Sequence, residues 1–234
     1  MSDDRSGDPV AAVLFDIDST LITTGGAGAV AWRRAFEELH GVAADIGEFT
    51  QGGMTDPEVG RLTFAGALGR EPAREELAQL MTRRLSHLDE AVADSQGYRV
   101  MPGVEGTLER LVEGGALLGL TTGNVEAAAH IKLARANLNR FFSFGGYGSD
   151  STDRAELTRT ALERGALVSG GRLEPAECVS VGDTPLDVAA GHGAGIRVIG
   201  VATGPFSAEQ LREAAADHVL ESLEQEFPLQ LAAR

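Results

Sequence analysis

From about residue 100 onward, short apolar runs alternate with amphipathic stretches, and this alternation limits the possible folds more than any other feature of the chain. Candidate strands fall at residues 116–121, 141–144, 178–181, 197–201 and 218–220. Between them, apolar positions recur with helical spacing at 104–113, 125–137, 154–164, 186–192 and 207–215. Each strand run is apolar enough to be covered on both faces, and strands of that kind separated by helices define a parallel sheet with helices on either side. Residues 10–15, VAAVLF, supply the first strand.

Residues 25–99 read differently. They offer amphipathic helices near 30–39, 56–68 and 74–93 but no convincing strand, and glycines at Gly25, Gly26, Gly97 and Gly103 mark the edges. A small helical unit inserted after the first strand is expected. Residues 1–9, MSDDRSGDP, are acidic and polar and read as a disordered tail.

A chain of 234 residues with 43% hydrophobic and 24% charged residues can bury a large core as a soluble protein. No apolar stretch reaches the ~20 residues of a membrane span, and the N-terminal residues lack the basic and apolar regions of a signal peptide. A cytoplasmic location is expected. The net charge of −15 argues against general binding to nucleic acid or to anionic membranes. An anionic substrate would need a local device to overcome that field. The single cysteine, Cys178, lies in an apolar run and reads as buried packing.

The chemistry-bearing residues collect at predicted strand ends. FDIDSTL, residues 15–21, places Asp16 and Asp18 one residue apart where the first strand finishes, and VGDTPLD, residues 181–187, places a second pair, Asp183 and Asp187, at another strand end. Ligands of parallel α/β sheets bind beyond the carboxyl ends of the strands. One acidic pair is explained by a turn or a helix cap; two pairs at equivalent strand ends point to a shared site. Clustered carboxylates repel, so a bound cation is their natural partner, and oxygen donors without neighbouring Cys or His favour Mg²⁺ over zinc. A third strand end, LTTGN at 120–124, offers the Thr122 hydroxyl, the N–H groups of Gly123 and Asn124 and a following helix N-terminus to phosphate oxygens. Taken alone, it is a helix cap with a tight turn.

Together these segments resemble the haloacid dehalogenase superfamily, in its phosphatase branch. FDIDSTL looks like the first motif, DxDxT; LGLTTGN like the second; and VGDTPLD like the fourth, GDTxxD, with the likeness covering almost the whole chain. The resemblance implies a Rossmann-like α/β core at residues 10–24 and 100–234 and an all-helical cap at 25–99. Asp16 would be the nucleophile that forms an aspartyl phosphate, and Asp18 would protonate the leaving alcohol and then deprotonate water. Family members that cleave carbon–halogen bonds lack this second Asp, so its presence favours phosphate chemistry. Mg²⁺ would be held by Asp16, the Asp18 backbone carbonyl and Asp183, with Asp187 as a further ligand or an anchor. Thr122, Gly123 and Asn124 would bind the phosphate, and the cap loop QGGMTD, residues 51–56, would complete the pocket with Gly52 and Gly53. The implied substrate is a small phosphorylated metabolite, for which phosphoglycolate is the guess, acted on by a monomer or homodimer. A sugar phosphomutase of the same family, or a non-enzymatic member used for binding, are the alternatives.

The family's third motif is a cation that grips phosphate and nucleophile. The only lysine, Lys132, lies eight residues beyond Asn124. At ~1.5 Å per residue it would sit roughly 12 Å from the phosphate, as a solvated helix residue. Arg154, opening the helix after the third core strand, is therefore expected to take the role, since its planar fork suits phosphate oxygens. The alternative is an exposed Arg154 paired with Asp150 or Asp153. Gly26 to Ala31 also matches GxGxxA, but the segment 16–24 separates it from the strand, and a hinge explains its glycines more simply. Trp32 and Phe36, four apart, read as a packing face inside the cap.

Overall fold

The computed structural model describes residues 10–171 and 173–228; the expected N-terminal tail lies outside them. In chain order the elements begin β1 (Ala12–Phe15), β2 (Ile22–Thr23), α1 (Ala27–His40), α2 (Asp56–Leu68), α3 (Arg74–Asp94) and β3 (Arg99–Val100). They continue with α4 (Val104–Glu113), β4 (Leu117–Thr122), α5 (Glu126–Ala134), β5 (Phe144–Tyr147) and α6 (Arg154–Ser169). The last are β6 (Cys178–Gly182), α7 (Pro185–Gly193), β7 (Arg197–Val201), α8 (Ala208–Glu213) and β8 (His218–Leu220).

Six strands form a parallel sheet in the order β5-β4-β1-β6-β7-β8. β1 shows why its sequence is apolar throughout. Successive side chains point to opposite faces: Val13 and Phe15 join the cluster that holds Leu108 of α4 and Leu133 of α5, whereas Ala12 and Leu14 join the one that holds Ala161 and Leu162 of α6. Both faces are covered, as the continuous apolar runs required. Cys178 is buried in the second cluster.

The helices α1, α2 and α3 have their own apolar cluster, with Trp32, Phe36, Phe64 and Leu80 buried. Trp32 and Phe36 pack with ring centroids 6.4 Å apart. The two crossings into this segment pair as an antiparallel ribbon, Ile22 with Val100 and Thr23 with Arg99, which the sequence analysis did not foresee. Gly25 and Gly97 meet just beyond the ribbon, so that a Cβ on Gly25 would fall 2.4 Å from the Gly97 backbone.

The strand expected at 141–144 is displaced. Leu138–Phe141 forms a short 3-10 turn after Asn137, whose φ is 55°. Phe142 turns edge-on to Phe15, its ring centroid 6.2 Å away. The aromatic run thus serves the core, and the strand is Phe144–Tyr147, FGGY. Gly146 is needed there because α6 lies directly against it: a Cβ would come 1.8 Å from the Leu157 carbonyl oxygen.

The two glycines beside the ribbon make different predictions. Gly25 has φ of +59° with the Gly97 backbone in the way, whereas Gly26 has φ of +89° and open space around it. Gly26→Ala should cost about 1 kcal/mol from backbone strain alone, and Gly25→Ala should cost more, ~2–3 kcal/mol, because a main chain must also move. Urea unfolding of the two variants checks the order; equal losses would mean that the Gly25–Gly97 approach is not tight in solution.

Candidate active site

β4, β1 and β6 are neighbours, with Phe15 level with Leu120 on one side and Val181 on the other. The residues that follow these strands therefore leave the sheet side by side. The Asp16 N–H donates to the Val181 carbonyl at 2.9 Å, extending the ladder to the sheet's edge. The chain then doubles back, because the N–H groups of Leu21 and Ile22 both donate to the Ile17 carbonyl, at 2.9 and 3.1 Å. Ser19, at φ of 65°, takes the left-handed turn. This loop holds Asp16 buried and Asp18 open to the cavity, the Asp18 side chain keeping 44% of its exposure.

Asp16, Asp183 and Asp187 are all buried, and each brings a carboxylate oxygen within 4.8 Å of the others. Burial first, and then the Asp187 carboxylate, push the Asp16 carboxyl up to about 7. The same causes, with Asp16 added, raise Asp183 to about 9. Hydroxyls and backbone complete the setting. Thr20 Oγ1 donates to Asp183 Oδ1 at 3.0 Å, while Asp187 Oδ2 accepts from Thr184 N at 3.0 Å and Thr184 Oγ1 at 2.7 Å, the capping box that starts α7. Gly204 approaches so closely that a Cβ there would lie 1.8 Å from Asp183 Oδ2. Three buried carboxylates in one cluster, two of them raised by burial and by their neighbours, with oxygen donors only, fit a hard divalent cation.

The structure brings Arg154 to this cluster, as the sequence predicted. Asp153 caps α6 by accepting from Ala155 N at 2.8 Å, and Asp150 pairs with Arg164 at 2.7 Å, so neither holds Arg154 at the surface. Instead the guanidinium is buried, bonded to Asp187 Oδ1 through Nη2, with the same nitrogen 3.6 Å from Asp16 Oδ1. Its Nη1 donates to the Gly53 carbonyl at 2.6 Å.

Lys132 corrects the sequence reading. It is a buried residue whose Nζ bonds both oxygens of Asp18, at 2.8 and 2.6 Å. The distance estimate followed the helix axis away from the strand end. It neglected that helical side chains tilt back toward the N-terminus and that lysine is long. Asp18, moreover, reaches out beyond the sheet toward α5. Asn124 reinforces the grip, its Nδ2 donating to Asp18 Oδ2 at 2.8 Å and to Thr122 Oγ1 at 2.9 Å. Burial alone would raise the Asp18 carboxyl, but the Lys132 ammonium and the Asn124 amide outweigh it and hold the group below the usual carboxylate range. Thr122 is fully buried; having accepted from Asn124, it keeps its own O–H to donate.

The loop 51–56 closes over these groups. Asp56 N donates to the Gly123 carbonyl at 2.7 Å, and Val125 N donates back to Asp56 Oδ2 at 2.9 Å. Gly123 permits the contact, since a Cβ there would fall 2.5 Å from the Met54 carbonyl. Gly52 and Gly53 line the resulting cavity of about 400 Å³ together with Asp16, Asp18, Thr122, Gly123, Asn124, Arg154 and Asp183. Among the lining residues that escaped the sequence reading are Arg84 and Trp32. Arg84 of α3 is 1% exposed and bonds Asp56 Oδ2 at 2.8 Å, and Trp32 lines the cavity as well as packing its helix. A signal for Arg84 was present: it stands four residues from both Leu80 and Leu88, on the apolar stripe of α3.

This fold, with acidic loops at adjacent strand ends and an all-helical insertion after β1, is that of a haloacid dehalogenase-like protein. Residues 10–195 match the haloacid dehalogenase-like hydrolase family, and the chain belongs to it. It is 30% identical over 213 residues to hexitol phosphatase A of Escherichia coli (strain K12), covering 91% of each chain. It is 28% identical over 169 residues to phosphoglycolate phosphatase 1 of Pseudomonas aeruginosa, covering 72% of this chain and 60% of that protein. Among solved structures, one from Haemophilus somnus described as a phosphoglycolate phosphatase superposes with a TM-score of 0.73 at 20% identity, covering 92% of this chain and 95% of that one. One from Bacteroides vulgatus described as a β-phosphoglucomutase gives 0.69 at 22% identity, covering 93% and 86%. The structural matches share the fold. Among the described residues, no helix is long and apolar enough to cross a membrane.

The acidic cluster makes stability depend on pH and cation together. An unfolded Asp ionises near pH 4, whereas folded Asp16 and Asp183 hold their protons to about 7 and about 9. Between those values the folded state binds more protons than the unfolded one, so metal-free protein loses stability as pH rises through this window. A divalent cation on the ionised cluster offsets the loss. The gain in Tm on adding Mg²⁺ should therefore be larger near pH 8.5 than near pH 5.5 in differential scanning fluorimetry. Equal gains would remove the cluster as the cation site.

Proposed function

We propose that the protein is a Mg²⁺-dependent phosphatase, acting in the cytoplasm on a small phosphomonoester through an aspartyl phosphate, with residues 25–99 as the cap over its active site. The observation that carries this reading is the convergence of Asp16, Asp18, Thr122, Arg154 and Asp183 on one cavity from separate strand ends. The family membership and the two named phosphatase relatives support it.

In the proposed reaction a carboxylate oxygen of Asp16 attacks phosphorus, and the bond from phosphorus to the leaving alcohol oxygen breaks as Asp18 delivers a proton to that oxygen. Water, deprotonated by Asp18, then attacks the phosphorus and releases inorganic phosphate and free Asp16. Asp16, the Asp18 backbone carbonyl and Asp183 would hold the Mg²⁺. Its positive charge would offset the repulsion between carboxylate and phosphate. Asp187, with its two oxygens engaged by Thr184 and Arg154, serves as an anchor for the arginine. Thr122 Oγ1 and the N–H groups at Gly123 and Asn124 take phosphate oxygens, and Arg154 adds charge against the equatorial ones. Lys132 and Asn124 aim Asp18 and favour its ionised form, so the proton that it takes from water in the second half of the cycle passes readily to the leaving alcohol of the next turnover.

Turnover of p-nitrophenyl phosphate with Mg²⁺, abolished by EDTA, is the direct test. Asp16→Asn should lose at least ~10³-fold in kcat. Arg154→Ala and Lys132→Ala should each lose ~10²-fold or more, while Arg159→Ala, at an exposed pair with Glu156, stays near wild type. Full activity in Asp16→Asn would overturn the nucleophile, and an inert wild type would overturn the phosphatase reading. Supplying a hexose phosphate and following free phosphate against isomer separates hydrolysis from mutase chemistry.

A further inference from the structure

One amide orients two of the groups assigned to the chemistry. Asn124 Nδ2 donates to Asp18 Oδ2 at 2.8 Å and to Thr122 Oγ1 at 2.9 Å, so the direction of that side chain sets both the acid–base carboxylate and the hydroxyl offered to phosphate. A side-chain rotamer fixes such a direction only if the backbone beneath it is fixed. Asn124 lies in the loop between β4 and α5, where its neighbouring peptide groups must find partners outside the sheet ladder and the helix.

The helical segment supplies those partners through a single residue. Asp56 engages the peptide groups on both sides of the Asn124 Cα: its N–H donates to the Gly123 carbonyl at 2.7 Å, and its Oδ2 accepts from Val125 N at 2.9 Å. With both peptide planes held, little rotation remains at Asn124. The Asn124 carbonyl, in the same peptide group as Val125 N, accepts from Gly148 N at 2.8 Å, just past β5. Val125 starts α5 without a side-chain cap of its own and is among the residues least suited to that position. A carboxylate brought against it from another segment supplies the missing acceptor and suits the positive end of the helix.

Arg84 keeps that carboxylate in place. Its side chain is 1% exposed, its Nη1 bonds the same Asp56 Oδ2 at 2.8 Å, and its guanidinium lies over the Trp32 ring at 5.1 Å from the centroid. A carboxylate at this depth without a partner would swing toward water; a guanidinium itself fixed between Trp32 and Asp56 holds Oδ2 on Val125 N. Packing follows the same line, since Val125 and Ala128 of α5 share a buried cluster with Ala31 of α1 and Leu88 of α3.

We propose that Asp56, anchored by Arg84, is a positioning residue for the reaction, acting through Asn124 to aim Asp18 and Thr122. The inference rests on the phosphatase reading for the roles of those two groups and adds to it a residue of the inserted segment that works without touching the reacting atoms.

The test is a double-mutant cycle read in kcat with p-nitrophenyl phosphate and Mg²⁺. Asp56→Ala and Asn124→Ala should each lose ~10-fold, and the double variant should also lose ~10-fold instead of ~100-fold, because the first acts through the second. Losses that multiply, or a rise in KM with kcat unchanged, overturn the proposal. Asp56→Asn keeps a neutral acceptor for Val125 N and should lose less, ~3-fold; it serves the same cycle if Asp56→Ala does not fold. Amide hydrogen exchange reads the coupling without turnover, whereas the phosphatase reading fails separately, through absence of p-nitrophenyl phosphate hydrolysis by wild type. The Gly148 amide bonds Asn124 and not Asp56, so in the Asp56 variant it should exchange several-fold faster while the amides of β1 and β6 keep their wild-type rates. An unchanged Gly148 amide, or equal acceleration throughout the sheet, makes Asp56 a purely structural residue and overturns the proposal.

Discussion

Three carboxylates buried within 4.8 Å of one another at the edge of the sheet form the constraint to which the surrounding structure answers. Their mutual repulsion in a poorly solvated site sets a large unfavourable term that a fold must offset locally. Much of the architecture serves that end. α6 begins at Arg154, so its first side chain reaches the cluster. The capping box of α7 engages Asp187, and the turn after Asp18 carries Thr20 to Asp183. On the proposed reading, these contacts and a bound cation let a chain of net charge −15 receive a phosphate.

The same principle extends outward into the helical segment. Lys132 from α5 meets Asp18, and Arg84 from α3 meets Asp56. Asp56 is in turn bonded to Val125 at the head of α5. Beyond the acidic cluster, Lys132 with Asp18 and Arg84 with Asp56 thus form matched pairs. The Gly53 carbonyl on Arg154 makes the insertion a direct partner of the sheet edge that carries the acidic cluster.

The sequence made the sheet, the helices and the acidic loops legible because each rests on local pattern: continuous apolar runs, helical spacing, carboxylates at strand ends. Arg154 was legible for the same reason, as the first residue of a predicted helix. Lys132 was not, because its role depends on how far a long side chain folds back along α5 and on where the Asp18 loop projects. Neither is written in spacing. β5 was misplaced because the aromatic run that looked like a strand fills the core, while the true strand carries two glycines, Gly146 demanded by the close approach of α6 and Gly145 by the Tyr147 ring. The ribbon of β2 and β3 is too short for any period to show, and Arg84 stood on an apolar stripe where an arginine attracts no notice.

The ribbon has a consequence for how the chain can fold. β1 must find β4 roughly a hundred residues away along the chain, a long loop to close before any contact repays its entropy. Once Ile22–Thr23 pairs with Arg99–Val100 and Gly25 settles on Gly97, the helical segment hangs from a closed neck. The remaining path from β1 to β4 is then only a short turn and α4. The insertion can be lengthened, shortened or exchanged beyond that neck without altering the distance the central strands must search. In this sense the ribbon makes the pairing of β1 with β4 a nearly local one.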